Sequence, residues 1–290
     1  MSDNGSLPSG LVQMLLLVLT ICGYGLWMLL GLALALGIYS SGRGEALVPL
    51  MLGCVFVSVG PLLASLRLLP MMPDWYGWRF GHRQRPTRET LMLLATYLPM
   101  LGVAGLAHGD NDFWATRLVG ATLMVCSLAS VVLSAYGYRA RHLPELSGIA
   151  SQMPISRVVS AWYGGGLWLW LCVISQDASN WPGGGRPWIL GLLLLALLLG
   201  LVEGMRWQAL QSVSVDGREA PDILKGLQTQ RFVAAALTYA IPCLSLLLAH
   251  AGSDNRWMAL LAALACVSGK SLELHLFDIA LHRRASHRES

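Results

Sequence analysis

The sequence predicts an all-α, polytopic membrane helix bundle of about eight transmembrane helices, and three observations lead there. Hydrophobic residues make up 55% of the 290-residue chain and charged residues only 12%, about half the charged share of ordinary soluble domains. Mean hydropathy is +0.56. The apolar residues gather in continuous runs, whereas the strands of a membrane barrel alternate apolar with polar. In hydrocarbon a helix is the other way to satisfy every backbone N–H and C=O.

A crossing needs roughly 20 mostly apolar residues rising about 1.5 Å each. Eight stretches answer to that description: 11–38, 46–69, 90–107, 115–138, 158–175, 188–205, 232–250 and 257–281. The first follows a tail, 1–10, without Lys or Arg; a secretory leader wants a basic start and a short apolar core, so this run reads as a retained span. The second and third contain Pro61 and Pro99, which are expected to kink them, and Pro242 does the same in the seventh. Trp114, Trp188 and Trp257 open the fourth, sixth and eighth, and Trp75, Trp78, Trp181 and Trp207 flank others, as expected of rings that prefer the headgroup level. Residues 11–281 therefore form a single membrane domain between a short N-terminal tail and a basic C-terminal one, 282–290. The longest connections, 206–231 and 70–89, leave no room for a second soluble domain.

With eight crossings, both termini and the loops after the second, fourth and sixth spans share a face. That face holds Arg79, Arg83, Arg85, Arg88, Arg139, Arg141, Arg157, Arg206, Arg218, Lys225, Arg231, Arg283, Arg284 and Arg288, against Arg43, Arg117, Arg186 and Arg256 opposite. Fourteen to four places both termini in the cytoplasm of a bacterial inner membrane.

Six cysteines lie in six different runs with no CxxC, so neither zinc nor an iron–sulfur cluster is expected in this chain. Only His275 falls clearly inside a span, so the paired axial ligands of a membrane haem are not expected either. There is no Walker loop, nucleophile elbow or HExxH, hence no expected catalytic residue or metal site, and nothing points to nucleic acid. Charges inside spans carry more information, each costing roughly 2.5–3.5 kcal/mol at a helix centre. Lys270 and Glu273 are three apart, so they share a helix face and can pair. Glu203 lies near the cytoplasmic end of the sixth span and Arg67 near the same end of the second. Together they point to a polar pocket in the cytoplasmic half. The alternative is an early end to the eighth span, with Lys270 and Glu273 snorkelling to the interface. The basic loop around Arg79, Arg83, Arg85 and Arg88, with Arg206 and Arg218, serves topology and anionic lipid, or docks an acidic soluble partner.

Several short features follow one another in order. Arg67-Leu68 precedes Pro70 and Pro73, Thr87-Arg88-Glu89 opens the third span, Arg231 opens the seventh, and Gly269 and Phe277 stand in the eighth. In this order they resemble the anchor subunit of the dimethyl sulfoxide reductase family, the membrane component of molybdenum enzymes that exchange electrons with quinones. Arg67 stands where that family has a histidine, Lys270 where it has a glutamate, Leu274 for its arginine and Asp278 for its tyrosine. The resemblance implies a chain without its own cofactor that takes menaquinol as an exchangeable substrate. It also implies an iron–sulfur subunit and a molybdopterin catalytic subunit as partners. The implied quinol site draws on Arg67, Glu89, Glu203, Lys270, Glu273 and His275. Arginine cannot accept a proton, so Glu89, Glu203, Glu273 or His275 would take that part. A secondary transporter of a small solute is the rival reading, since Pro61 and Pro242 could break helices around a midplane site. A lipid-modifying enzyme would want an Asp/His or Ser/His set on one face.

The charge bias makes a direct prediction. Reporter fusions at Ser290 and in the 183–186 loop should report opposite compartments; a periplasmic C-terminus overturns the topology.

Overall fold

The structure, a computed structural model, describes residues 7–39, 44–65, 88–107, 113–142, 147–176, 186–212, 220–251 and 255–289. All regular structure among them is helical: α1 (Leu7–Ala35), α2 (Leu47–Ser65), α3 (Arg88–Leu106), α4 (Trp114–His142), α5 (Ser147–Ser175), α6 (Arg186–Ser212), α7 (Ala220–Ala235), α8 (Ile241–His250) and α9 (Asn255–Glu289). A π turn, Ala236–Ala240, joins α7 and α8 into one rod, so the described residues make eight rods. Six contain segments long and apolar enough to cross a bilayer, while the apolar helices Leu47–Leu63 and Leu91–Leu106 are shorter. The outer surface agrees with that composition. On α6, Leu190, Leu194, Leu197 and Leu201 are 62–76% exposed at helical spacing, and Leu91, Leu94, Leu98 and Leu101 make a second stripe on α3. In water such stripes would be a large unpaid-for apolar surface; they suit lipid. The chain is a multi-pass membrane protein.

Two helices fill the middle. The spans of α1 and α5 are 78% and 72% buried, against 33% for those of α4, α6 and the α7–α8 rod. A helix apolar on every side belongs in such a position, and α1 packs against α2, α4, α5 and α9. It meets α5 without intervening side chains: a Cβ on Gly25 would overlap the Ala161 carbonyl, and one on Gly165 would overlap the backbone of Gly25. Small residues at a membrane crossing let backbones approach in this way. Polar pairs fasten the outer helices. The Trp27 indole N–H donates to the Leu50 carbonyl at 3.0 Å, the Ser58 and Tyr97 hydroxyls pair at 2.7 Å, and those of Thr96 and Ser130 at 2.9 Å.

The π turn has an identifiable cause. Pro242 has no N–H for the carbonyl four residues back, that of Thr238, and its ring would crowd that carbonyl. The Ile241 N–H instead reaches Ala236, and the Tyr163 hydroxyl donates to the freed Thr238 oxygen at 3.3 Å. Gly269 of α9 sits against this turn; a Cβ there would fall 2.5 Å from the Thr238 nitrogen and Oγ1.

Several element boundaries differ from those read in the sequence. Helix α5 starts at Ser147 and runs through Pro154, a start that no continuous apolar run in the sequence announces. Helix α6 reaches Ser212 and α7 opens at Ala220, so helix occupies most of the supposed 206–231 connection. Helix α9 carries on through the 282–290 tail to Glu289; after Gly269 the sequence has neither Gly nor Pro to stop it. Trp207 is not in an interfacial belt but 5% exposed, while Trp114 and Trp257 are 68% and 67% exposed at helix starts.

Replacing Gly165 by Leu should force α1 and α5 apart. Overpacking usually costs about 1–3 kcal/mol, and the backbone contact puts this site at the upper end or beyond. Thermal unfolding in detergent should show a clear loss, whereas Gly191→Leu, where nothing lies within 4 Å, should be nearly neutral.

Candidate functional site

Helices α6 and α9 each bring an acid and a base one turn apart: Glu203 with Arg206, and Lys270 with Glu273. The two pairs meet. Lys270 Nζ donates to Glu203 Oε1 at 2.6 Å and to Glu273 Oε2 at 3.1 Å. Arg206 Nη1 reaches the two Glu203 oxygens at 3.2 and 3.4 Å, and the Ser156 hydroxyl of α5 donates to Glu203 at 2.6 Å. All four charged residues are buried, with Arg206 only 2% exposed and Glu273 the most open at 9%. Unpaired, each ion would cost several kcal/mol in a low dielectric; two carboxylates against two cations, bonded to each other, offset much of that.

An aromatic chain leads out from the cluster. The Arg206 guanidinium carbon stands 3.7 Å from the centre of the Phe277 ring, and Trp207 meets Phe277 edge-on at 5.7 Å. Arg231 of α7 in turn covers Trp207 at 3.8 Å. These stacks hold the guanidinium plane by cation–π attraction. Beside the cluster lies a cavity of about 30 Å³ between α1, α5, α6 and α9. Its apolar wall includes Met14, Leu17, Val18 and Leu199, and its polar wall Ser156, Arg157, Ser160, Arg206 and Lys270. It sits at the end of the bundle where α1 and α5 begin and the α6 and α9 spans finish.

Glu203, Lys270 and Glu273, expected to share a polar pocket, are brought together. Lys270 does not snorkel: its ammonium points at two carboxylates and α9 continues beyond it to Glu289. Arg206, expected on a docking face, is instead the second cation of the buried cluster. The sequence placed it past a span end, whereas α6 continues two turns further. His275 lies on α9 outside the ion pairs; its ring packs over Gly10, and its Nδ1 has no hydrogen-bond partner. Arg67, Arg79, Arg83, Arg85 and Arg218 lie outside the described residues, as do the side chains of Arg88 and Glu89. Sequence reasoning missed Ser156, Arg157 and Ser160. Hydroxyls four apart around an arginine, next to an apolar run, were the available signal. Among the described residues no three His, Cys, Asp or Glu side chains come together as a metal site, and all six cysteines are free.

No protein-family model matches the chain, and neither a curated protein nor a solved structure matches it.

The two carboxylates should differ in structural weight. Glu203 accepts from Ser156, Arg206 and Lys270, while Glu273 accepts from Lys270. Breaking a buried pair costs about 3–5 kcal/mol, so Glu203→Gln should fall in that range and Glu273→Gln well below it. Unfolding of the purified variants in detergent measures the order, and equal losses would contradict the hydrogen-bond pattern.

Proposed function

We propose that this chain is the membrane anchor subunit of a molybdopterin oxidoreductase complex of the dimethyl sulfoxide reductase type. In this reading it oxidises menaquinol in a bacterial inner membrane and passes the electrons to an iron–sulfur partner subunit. The observation that carries the reading is the meeting of Glu203 with Lys270 and Glu273, buried beside a cavity whose walls are largely apolar and include Arg157 and Arg206. Charged residues kept inside a membrane bundle ordinarily mark a substrate or proton path. Apolar walls with a few convergent polar groups also suit a quinone headgroup and its isoprenoid tail.

Each quinol oxidised releases two electrons and two protons. The electrons leave through the partner, and the protons need acceptors near the ring oxygens. Glu203 and Glu273 supply carboxylates, and Lys270, bonded to both, orients the ring. At about 30 Å³ the cavity takes an oxygen-sized group. Seating the whole ring requires Met14 and Met153, which line it, to swing aside, and methionine is suited to that. Read as eight crossings, the chain has both termini on one side, and its fourteen-to-four bias in Lys and Arg assigns that side to the cytoplasm. Arg79, Arg83, Arg85, Arg88 and Arg218 then face the iron–sulfur and molybdopterin subunits, which bring the cofactors.

A secondary transporter draws on the broken α7–α8 rod. Transporters use unwound carbonyls to hold ions, but here the Tyr163 hydroxyl already occupies the carbonyl that Pro242 frees. The irregularity therefore favours the transporter less than Pro242 alone would.

In the assembled complex, Glu203→Gln and Glu273→Gln keep size and remove charge. At least one should slow menaquinol-dependent turnover by about 100-fold, the lower end of what a positioned proton acceptor contributes. Turnover with an artificial donor to the catalytic subunit should be spared. Normal quinol oxidation by both variants and by Lys270→Met would place the quinol site elsewhere.

A further inference from the structure

Arg206 carries donors that nothing among the described residues accepts. Its Nη1 is tied to Glu203, but Nε and Nη2 are buried without a hydrogen-bond partner, and so is the Ser160 hydroxyl on α5. Both residues line the cavity. An unmet buried polar group costs about 1–3 kcal/mol, and native interiors rarely leave one without a reason. In a guanidinium the Nε–H and the adjacent Nη2–H run parallel, so the unmet edge is a ready two-pronged fork. Phe277 stacked at 3.7 Å and Glu203 bonded to the opposite end keep that fork from turning away.

The chemistry of the missing partner follows from these groups. The fork only donates, so the ligand atom must accept. Glu203 and Glu273 already balance Arg206 and Lys270, and the Arg157 guanidinium on the same wall donates to Ser134 of α4 at 3.5 Å. A quinone carbonyl meets the requirement for an acceptor and brings no charge of its own. The cavity that Arg206 and Ser160 line is oxygen-sized, and its walls are largely apolar.

We infer that Arg206 is the residue that binds the ring carbonyl oxygen of a quinone, through Nε–H and Nη2–H, with the Ser160 hydroxyl as a third donor. This rests on reading the cavity as the quinol site, and adds which side chain grips the ring and by which atom. Glu203 then has two duties, holding the fork in place and standing within one turn of the bound oxygen on α6.

The test is infrared difference spectroscopy on the purified full chain in detergent, with a short-chain naphthoquinone labelled with ¹³C at its carbonyls. Bound to the wild-type chain, one carbonyl stretch should move below that of the same quinone in empty detergent micelles. Arg206→Lys keeps the charge beside Glu203 but removes the fork, and should return the band towards the free value with about tenfold weaker binding. Ser160→Ala leaves the ion cluster intact, so a smaller band shift in that variant cannot come from misfolding. If the wild-type chain binds the naphthoquinone and neither substitution moves the band or the affinity, Arg206 is not the gripping residue and the quinol reading survives. If the wild-type chain takes up no naphthoquinone, both the inference and the quinol reading fall.

Discussion

Between Gly25 of α1 and Gly165 of α5 the backbones touch with no side chain between them, and the positions of the surrounding helices follow from that contact. With the two axes so close, α1 cannot lie at the lipid surface, and its uniform apolar character is spent on packing with α2, α4, α5 and α9. The crossing also fixes the relative height of the two helices. It brings Met14 to Cys22 on α1 level with Met153 to Ser160 on α5, the two walls that the cavity shares. Towards the start of both helices the cavity lies between them, and there α6 and α9 present their charges.

Those charges are held in a manner that favours exchange over rigidity. Lys270 bridges two carboxylates, and Glu203 serves three donors, so a change of partner at one member redistributes hydrogen bonds without stripping any ion bare. A fully satisfied apolar core would be at least as stable. The fork of Arg206 is the asymmetric element, since among the described residues its Nε and Nη2 are buried without a hydrogen-bond partner. A ligand oxygen arriving there would touch the network without displacing any existing bond.

Much of this was legible in the sequence, and what was not has a physical reason. Continuous apolar runs announce membrane helices, and the three-residue spacing of Lys270 and Glu273 announces a pair. That Glu203 joins them is a tertiary fact: 67 residues separate it from Lys270, and only the packing of α6, α5 and α9 decides it. Arg206 was misplaced because a cation after an apolar run looks like a span end, although its spacing from Glu203 repeats that of Lys270 and Glu273. The start of α5, before residue 158, was missed because Ser147, Ser151, Gln152, Ser156 and Arg157 interrupt the apolar residues there, and Pro154 reads as a break. Pro242 foretold an irregularity, but a kink and a π turn have the same sequence signal. The choice between them depends on Tyr163 and Gly269 meeting the turn from two other helices.

The π turn also acts on the rod that contains it. Each residue of an α-helix advances by about 100° around the axis, and a turn closed over five residues instead of four accommodates one residue beyond that progression. The rod of 220–250 is thus two half-helices out of phase. One half aims Arg231 at Trp207; the other turns Ser245 and Leu246 to the interior. A single-residue deletion anywhere in Ala236–Ala240 would restore an unbroken screw and swing one half by that same angle against the other. In this stretch the number of residues is a tighter constraint than their identity.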